Sequence, residues 1–388
     1  MQAANDVLIL GVGQTGVGEH WELSLRELAL DAISKAREEA GGIRPEAIYV
    51  ANMLAPILSN QAQLGAYLAD FAGLRGVEAA VVEAGSASGG AALRQGYLAV
   101  ASGTVKVAMV VGVEKFSEHP SAEVDAAMAT SLDSDYEAVH GATPTAQAAI
   151  LMRRYLYEHK APADALAGFP VTAHANGASN PNAMFQRAIS VEKYQRGGMV
   201  ADPLNMFDAA PPADGAAAVI LVRASALPES TLYPTVRIAS SAASSDTLAL
   251  HDRVDPLVFE AAALSSQRAF SQAGITLDMV DFFEPHDQFS IYAALALEAA
   301  GFCEKGEGWK MARDEEISLN GRLPICTAGG CKARGDVGAA TGVYQAVEAV
   351  LQLQQRAGTN QIEKARIGMI QSLSNAAGTA VTHILARE

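Results

Sequence analysis

Short apolar runs alternate with amphipathic segments along the whole chain. In the first half, VLILGV, IYVANM and VKVAMVVGV are bounded by glycine or polar residues, as expected for strands that are buried on both faces. LRELALDAISKAREEAGG and SASGGAALRQGYLAVASG lie between them, carry helical periodicity and end in glycine-containing stops. This alternation predicts a layered α/β fold with mostly parallel strands and right-handed crossovers.

The second half of the chain repeats this order. The apolar run GAAAVILVR closes the first half, and TVRIASS, a helix in FEAAALSSQRAFSQAGI and VDFFEPHD follow. A glycine turn, the helix in GDVGAATGVYQAVEAVLQL and the strands ARIGMIQSL and GTAVTHIL complete the repeat. Residues 117–202 interrupt the first half and are richer in polar residues, aromatics and histidine. We therefore expect an N-terminal half (1–116 and 203–232), an inserted loop or cap domain (117–202) and a C-terminal half (233–388).

Composition narrows the class of protein. The 388 residues are half hydrophobic and 18% charged, which predicts a large buried core. A formal net charge of −15 argues against nucleic acid as a partner. The start lacks a basic signal-peptide region, and no apolar stretch reaches the ~20 residues that cross a bilayer. The three cysteines do not suggest a disulfide framework. We expect a cytoplasmic protein without a membrane or nucleic-acid partner.

Two common cofactor signals are weak in this sequence. GVGQTG, near the start, matches a dinucleotide fingerprint poorly, because no acidic residue is correctly placed after a second strand. No cluster of histidine and carboxylate residues has the spacing of metal ligands. We therefore predict neither NAD nor a metal.

Several longer motifs carry a family resemblance. They are VEAGSASGGAALRQGYLAVASG, HGATPTAQAAILMRRYL, PPADGAAAVIL, EPHDQFS, GFCEKGEG and NGRLPICTAGGCKARGDVGAATG. In this order, nearly end to end, they resemble the thiolase superfamily, and within it the branch of lipid-transfer proteins and archaeal acetoacetyl-CoA thiolases. The resemblance implies the α/β thiolase fold, five-layered αβαβα, built from two pseudo-repeated halves with an inserted loop or cap domain. It also implies C–C bond chemistry on acyl-CoA thioesters.

The resemblance also locates three departures from the catalytic pattern of the family. Thiolases carry the acyl group on a cysteine, activate that cysteine with a histidine and use a second cysteine as α-proton acid and base. By resemblance these positions are Ser86, Asp336 and Gln288 in this sequence. A serine hydroxyl is a poor nucleophile without a neighbouring base, and an amide does not titrate. We therefore expect an acyltransferase-family protein that lacks normal thiolase activity.

Each substituted residue has a structural alternative. Ser86 is a covalent nucleophile, or else Ser86 or Ser88 is the N-cap of the helix that follows, and we favour the cap. Asp336 is a weak base, or a carboxylate that the dipole of the following helix stabilises. Gln288 orients a substrate carbonyl or water, or is a satisfied polar residue in a loop. Both remain open.

The resemblance implies further site residues. His286 would hydrogen-bond the thioester oxygen, and the backbone N–H groups of Ser86 and Gly378 would complete a second oxyanion site. If the fold of the family holds, Ser86, His286 and Asp336 converge, and these are the residue types of a hydrolytic triad. Cys326 and Cys331 flank a glycine turn near the site. Either is a substitute thiol or, as we favour, an inert buried cysteine.

Coenzyme A or acyl-CoA is the implied substrate or ligand, without a tightly bound cofactor. The inserted segment would hold its phosphates, and the candidate cations there are Arg153, Arg154, Arg187, Lys193 and Arg196. The implied assembly is a homodimer or tetramer, with a possible small OB-fold or zinc-ribbon partner. The alternative functions are a non-catalytic CoA-binding or scaffold subunit of a thiolase-type complex, a retro-aldolase and a serine-dependent thioester hydrolase.

Overall fold

The computed structural model describes residues 5–388. The strands in this range are β1 (Val7–Gln14), β2 (Ala47–Ala51), β3 (Glu78–Val82), β4 (Val107–Glu114), β5 (Met199–Ala201), β6 (Leu204–Asn205), β7 (Gly215–Arg223), β8 (Val236–Ser245), β9 (Phe282–Glu284), β10 (Ile367–Ser374) and β11 (Thr379–Arg387). The helices are α1 (Leu25–Glu39), α2 (Ala55–Leu58), α3 (Leu64–Phe71), α4 (Ser88–Ser102), α5 (Ser121–Ala129), α6 (Pro144–Glu158), α7 (Gly168–Gly177), α8 (Val191–Gln195), α9 (Glu260–Ala273), α10 (Ser290–Ala300), α11 (Gly308–Arg313) and α12 (Thr341–Leu353). A π-helical turn (Gly330–Arg334) and a 3-10 turn (Gly338–Ala340) precede α12.

The main sheet consists of two parts with the same topology. Its strand order is β3-β2-β4-β7-β1-β8-β11-β10-β9, and β1 meets β8 at Leu8 and Ile9. In the N-terminal part, β7 is antiparallel to β1 and β4, while β2 is parallel to β4 and β3. In the C-terminal part, β11 is antiparallel to β8 and β10, while β9 is parallel to β10 and, through Phe283, to Ile325. The sheet thus confirms the two pseudo-repeated halves.

The prediction of mostly parallel strands is wrong. The described pairs β1–β7, β4–β7, β1–β8, β8–β11 and β10–β11 are antiparallel. The physical reason is that the last strand of each half lies between two earlier strands and runs against both. For β10 and β11 the connection is a turn of four residues, 375–378, which is too short for the crossover that parallel strands need.

Helices form three layers around the two parts of the sheet. α4 and α12 contact strands of both parts and therefore lie between them. α1 and α3 pack on the N-terminal part from outside, and α9 packs on the C-terminal part with α10 against it. The layer order is α-β-α-β-α, as the resemblance implied.

Glycines allow the close contacts within these layers. A Cβ on Gly342 of α12 would lie 2.4 Å from the backbone nitrogen of Gly90 in α4, so the two central helices touch through their backbones. In β1, a Cβ on Gly13 would lie 2.3 Å from the carbonyl oxygen of Ala32 in α1. Gly11 and Gly13 of the GVGQTG segment therefore serve the packing of a helix on a strand.

The helices α6 and α7 of the inserted segment pack on the C-terminal half. Residues 117–202 contain α5 to α8 and β5, and α7 contacts the π-helical turn. Apolar residues of α6 and α7, such as Leu151 and Phe169, belong to the same buried cluster as Phe283 of β9 and Ile291 of α10. The division of the chain into domains at these boundaries stays a prediction.

The described residues also bear on membrane insertion. Within residues 5–388, no helix combines the length and the apolar character that a bilayer crossing requires.

Candidate active site

Ser86 lies in the turn between β3 and α4 and is fully buried. Its side chain is 0% exposed, and within residues 5–388 its hydroxyl oxygen has no hydrogen-bond partner. Gly85 before it has a φ of +56°, and a Cβ there would lie 2.3 Å from the hydroxyl oxygen of Ser374 at the end of β10. Glycine is therefore required at position 85, and the Ser86 turn packs against the end of β10.

The interpretation of Ser86 as a helix N-cap is wrong. α4 begins at Ser88, its N-cap residue is Ala87, and no side chain caps it. The hydroxyl of Ser88 instead accepts a hydrogen bond from the backbone nitrogen of Ala84 (2.9 Å) and donates to the carbonyl of Gly85. Ser88 thus stabilises the turn, and Ser86 has no capping function.

His286 follows β9 and lies at the same sheet edge, because β9 and β10 are parallel. Its side chain is 1% exposed, and neither ring nitrogen has a hydrogen-bond partner in the described part of the chain. Burial lowers the pKa of His286, although the negative charges of Asp336 and Asp287 oppose this effect. The imidazole is therefore neutral at pH 7, with one donor and one acceptor nitrogen.

Asp336 and Gln288 form a hydrogen-bonded pair. The Gln288 amide nitrogen donates to Oδ2 of Asp336 over 2.9 Å. The other carboxylate oxygen, Oδ1, accepts from the backbone nitrogen of Gly338 and the hydroxyl of Thr341, both at 3.1 Å. Asp336 therefore fixes the turn that leads into α12, in the place where the helix dipole favours negative charge.

The residue types of a hydrolytic triad do not form a hydrogen-bonded triad here. Both ring nitrogens of His286 are without partners among residues 5–388, so neither Ser86 nor Asp336 bonds to the ring. Instead, ligand atoms of His286, Cys331 and Asp336 lie within 4.8 Å of one another. The structure thus brings His286 and Asp336 together, with a cysteine as the third member.

Cys331 is the site residue that sequence reasoning underestimated. It lies in the π-helical turn, it is buried, and burial raises the pKa of its thiol well above the ordinary value. Its backbone nitrogen donates to Asp287, next to His286, over 2.6 Å. The available signal was its place in the motif GGCKARG, where the family pattern has leucine.

A cavity gives access to the Gln288–Asp336 pair. It has a volume of about 380 Å³. The inserted segment supplies part of its wall, and the lining includes Asp125, Met128, Thr143, Gln288 and Asp336. A ligand in this cavity would contact both substituted residues.

The backbone amide of Gly378 is already hydrogen-bonded. It donates to the carbonyl of Ser374 over 3.0 Å, within the turn between β10 and β11. The prediction that this amide is a free oxyanion donor is therefore wrong for the structure as it stands. A short turn uses its own amides to close, which the glycine in the sequence does not reveal.

The candidate phosphate-binding cations do not share one cavity. Arg153 is ion-paired with Asp202 and lines an open groove. Arg187 lines a different, mostly apolar cavity of about 420 Å³. Lys193 and Arg196, in and after α8, are exposed. The Arg187 cavity is also lined by His174, Phe185, Phe207 and Lys332.

Comparison with known proteins assigns this chain to a family. A family model described as the thiolase N-terminal domain matches residues 7–225, and one described as thiolase C-terminal domain-like matches residues 242–387. The acetyl-CoA acetyltransferase of Methanothermobacter thermautotrophicus is 41% identical over 384 residues, which cover 98% of this chain and 100% of the relative. The 17-hydroxy-3-oxo-4-pregnene-20-carboxyl-CoA lyase of Mycobacterium tuberculosis is 29% identical over 275 residues, covering 67% of this chain and 71% of that protein.

A solved structure, the Ltp2-ChsH2(DUF35) aldolase, is similar in fold. Its TM-score is 0.82 at 22% sequence identity, and the match covers 99% of this chain and 98% of that one. This likeness supports the five-layered fold found here. Since family models match both halves and a relative is 41% identical over nearly the whole length, the chain belongs to the thiolase family.

Proposed function

We propose that this protein binds acyl-CoA thioesters in a thiolase-type site but lacks the cysteine-based thiolase reaction. The observation that carries the proposal is the environment of Ser86. Its hydroxyl is buried and, in the described part of the chain, has no hydrogen-bond partner that could take its proton. A serine hydroxyl without such a base is a weak nucleophile, so it does not replace a thiolate as the acyl carrier.

The Gln288–Asp336 pair supports the same proposal. A Claisen reaction needs a group that removes the α-proton of the acyl thioester and returns it later. Gln288 cannot titrate, and both carboxylate oxygens of Asp336 already accept hydrogen bonds. The pair is therefore suited to orienting a ligand in the adjoining cavity and poorly suited to moving its protons.

His286 is the group that we assign to the thioester. A neutral imidazole can donate its N–H to a carbonyl oxygen, and the hydrogen bond strengthens as negative charge develops there. Both ring nitrogens are free of other partners within residues 5–388, which supports this assignment.

Turnover with acetoacetyl-CoA and free CoA tests the proposal. We expect no thiolysis above the rate without protein, while calorimetry with CoA detects binding. Restoring the nucleophile with Ser86→Cys is expected to leave the rate at background, because Gln288 and Asp336 still lack the required proton chemistry. Full thiolysis by the Ser86→Cys variant would show that these two residues are not limiting, and thiolysis by the unchanged protein would refute the proposal.

We propose that Arg187, in preference to Arg153, binds the phosphates of CoA. The Arg187 side chain faces a cavity, whereas Arg153 is already ion-paired with Asp202. A charge-assisted contact contributes about 1.5–3 kcal/mol, so Arg187→Gln should weaken CoA binding about tenfold or more. Arg153→Gln is the matched control and should change the dissociation constant less. Calorimetric titration with CoA measures both, and equal effects would remove the preference for Arg187.

A retro-aldol lyase acting on β-hydroxyacyl-CoA is the second candidate. Such a reaction needs no acyl carrier. A base takes the proton of the β-hydroxyl, the Cα–Cβ bond breaks to leave a carbonyl compound, and its electrons pass to the thioester enolate, which is then protonated at Cα. His286 supports the lyase candidate, because a neutral imidazole without hydrogen-bond partners among residues 5–388 can act as the base. The lyase and aldolase names of two similar proteins are consistent with it.

Product analysis separates the candidates. Incubation with a β-hydroxyacyl-CoA should release an aldehyde or ketone and a shortened acyl-CoA if the lyase candidate holds, and His286→Asn should abolish the release. CoA binding without any product would indicate a non-catalytic CoA-binding or scaffold subunit. An acyl group on Ser86 would indicate a serine-dependent hydrolase.

We also propose that the chain forms a homodimer. Among residues 5–388, no strand pairs with the outer edge of β3, and the Val81 side chain of this strand is 42% exposed. An uncovered edge strand with an apolar side chain is suited to pairing with a second copy. Light scattering after gel filtration measures the mass, and a monomer would refute this proposal.

A zinc-ribbon or OB-fold partner is proposed on the resemblance alone, with the DUF35 part of the aldolase complex as a parallel.

A further inference from the structure

Three different donor types meet beside the Gln288–Asp336 pair. A ring nitrogen of His286, the sulfur of Cys331 and a carboxylate oxygen of Asp336 lie within 4.8 Å of one another, and all three side chains are buried. Independently, both ring nitrogens of His286 lack partners in the described part of the chain. Buried polar atoms are normally satisfied, so this imidazole is positioned for a ligand that the protein itself does not supply.

We propose that His286, Cys331 and Asp336 bind a divalent cation of the zinc class. The set offers one nitrogen, one sulfur and one oxygen, which suits zinc and similar thiophilic metals and disfavours magnesium and calcium, which prefer oxygen ligands. Zinc–ligand bonds of about 2.0–2.3 Å place donor atoms roughly 3–4 Å apart. The three atoms must therefore approach one another by about 1 Å to bind one ion.

The groups around the three ligands are arranged to hold them. Asp287 accepts a hydrogen bond from the backbone of Cys331, and this bond ties the π-helical turn to the His286 segment. Gln288 donates to the Asp336 carboxylate, leaving further lone pairs on that oxygen. The Arg334 guanidinium donates a hydrogen bond to the Cys331 sulfur over 3.9 Å, and this contact orients the cysteine side chain. Outer groups of this kind orient metal ligands in known sites.

Three protein ligands leave a fourth position for a small molecule. Zinc sites with this arrangement hold a water or a substrate oxygen at the open position. The cavity of about 380 Å³ is lined by Asp336, so a ligand that enters it can reach the metal. The ligand class that fits is an oxygen donor such as a carbonyl or carboxylate. This inference goes beyond the proposed function, since the metal would bind whether or not the protein turns over an acyl-CoA.

Metal titration of the purified full-length chain tests the proposal. After removal of metals with a chelator, Zn²⁺ is added against a chromogenic competitor, and Co²⁺ is added while the near-ultraviolet cobalt–thiolate absorption is recorded. We expect one Zn²⁺ per chain and a thiolate band with Co²⁺. Cys331→Leu, which introduces the residue of the family motif, should abolish the band. His286→Asn and Asp336→Asn should each weaken Zn²⁺ binding by at least about 10-fold. This is the smallest loss typical of residues that only hydrogen-bond to a metal ligand, and a direct ligand should contribute at least as much.

Cys303→Ser is the control for non-specific thiol binding, because Cys303 is a half-buried cysteine outside the three-residue set. The Cys303→Ser variant should still bind one Zn²⁺ per chain and show the cobalt–thiolate band. The proposal is overturned if the unchanged protein binds no Zn²⁺, or if Cys331→Leu keeps the cobalt band. If Cys331→Leu does not fold, Cys331→Ser is used, and the result for the unchanged protein still decides. CoA binding is measured separately, so a failure here leaves the proposed function untouched.

Discussion

Ser86 and His286 are buried polar side chains without hydrogen-bond partners among residues 5–388, and the resemblance assigns both positions to the active site of the thiolase family. Their neighbours Gln288 and Asp336 are satisfied by each other and by the start of α12. The site therefore has hydrogen-bond donors that can bind a carbonyl oxygen, and it lacks a nucleophile that a neighbouring base activates. The substitutions at Ser86, Gln288 and Asp336 are predictions from the motifs, whereas the approach of Cys331 to His286 depends on the π-helical turn, which has no clear sequence signal.

A buried carboxylate near the site makes stability dependent on pH. Burial raises the pKa of Glu114 from its ordinary value of 4.5 to about 8, and Asp336 adds to this effect. Between these two pH values the unfolded chain has lost the proton that the folded chain keeps, so the free energy of unfolding falls as pH rises. Glu114→Gln cannot ionise and can still accept from the backbone of Met53 and Leu54.

We therefore expect the unfolding free energy of the unchanged protein to decrease between about pH 5 and pH 8, and that of Glu114→Gln to decrease less. Glu284, whose pKa burial also raises to about 8, maintains part of the slope in the variant. Urea unfolding at three pH values measures both slopes. Parallel curves would contradict the assignment of a buried, protonated Glu114.

The elements follow from the apolar pattern wherever a strand is fully buried. β1, β2, β4 and β7 are buried along nearly their whole length, and each was predicted from a continuous apolar run. β3 was not predicted, because it is an edge strand whose residues alternate weakly between exposed and half-buried. Strand direction was mispredicted, because the apolar pattern shows that a strand is buried and does not show which neighbour it pairs with.

The close packing of the two central helices, α4 and α12, can be tested by substitution. Gly342→Ala would place a methyl group 2.4 Å from the Gly90 backbone, and neither helix backbone can yield easily. We expect a loss of about 1–3 kcal/mol in the free energy of unfolding, typical of overpacking. Gly198→Ala is the matched control, since nothing lies within 4 Å of its added Cβ. Equal unfolding midpoints for the two variants would show that the helices are not in tight contact.

The whole molecule combines two repeated halves around one central helix layer. The turn of Ser86 comes from the first half, whereas His286, Cys331 and Asp336 come from the second. The packing of the Ser86 turn on the end of β10 joins the two halves at this edge of the sheet. Length, repeat and motifs predicted this arrangement, while the positions of the cations proposed to bind CoA depend on loops of the inserted segment, whose sequence carries no periodic pattern.

Intact-protein mass spectrometry after incubation with acetoacetyl-CoA shows whether any residue carries an acyl group covalently. We expect an unchanged mass for the native protein, with no acetyl group on any cysteine or on Ser86. A stoichiometric acetyl adduct in a single round of incubation would contradict it.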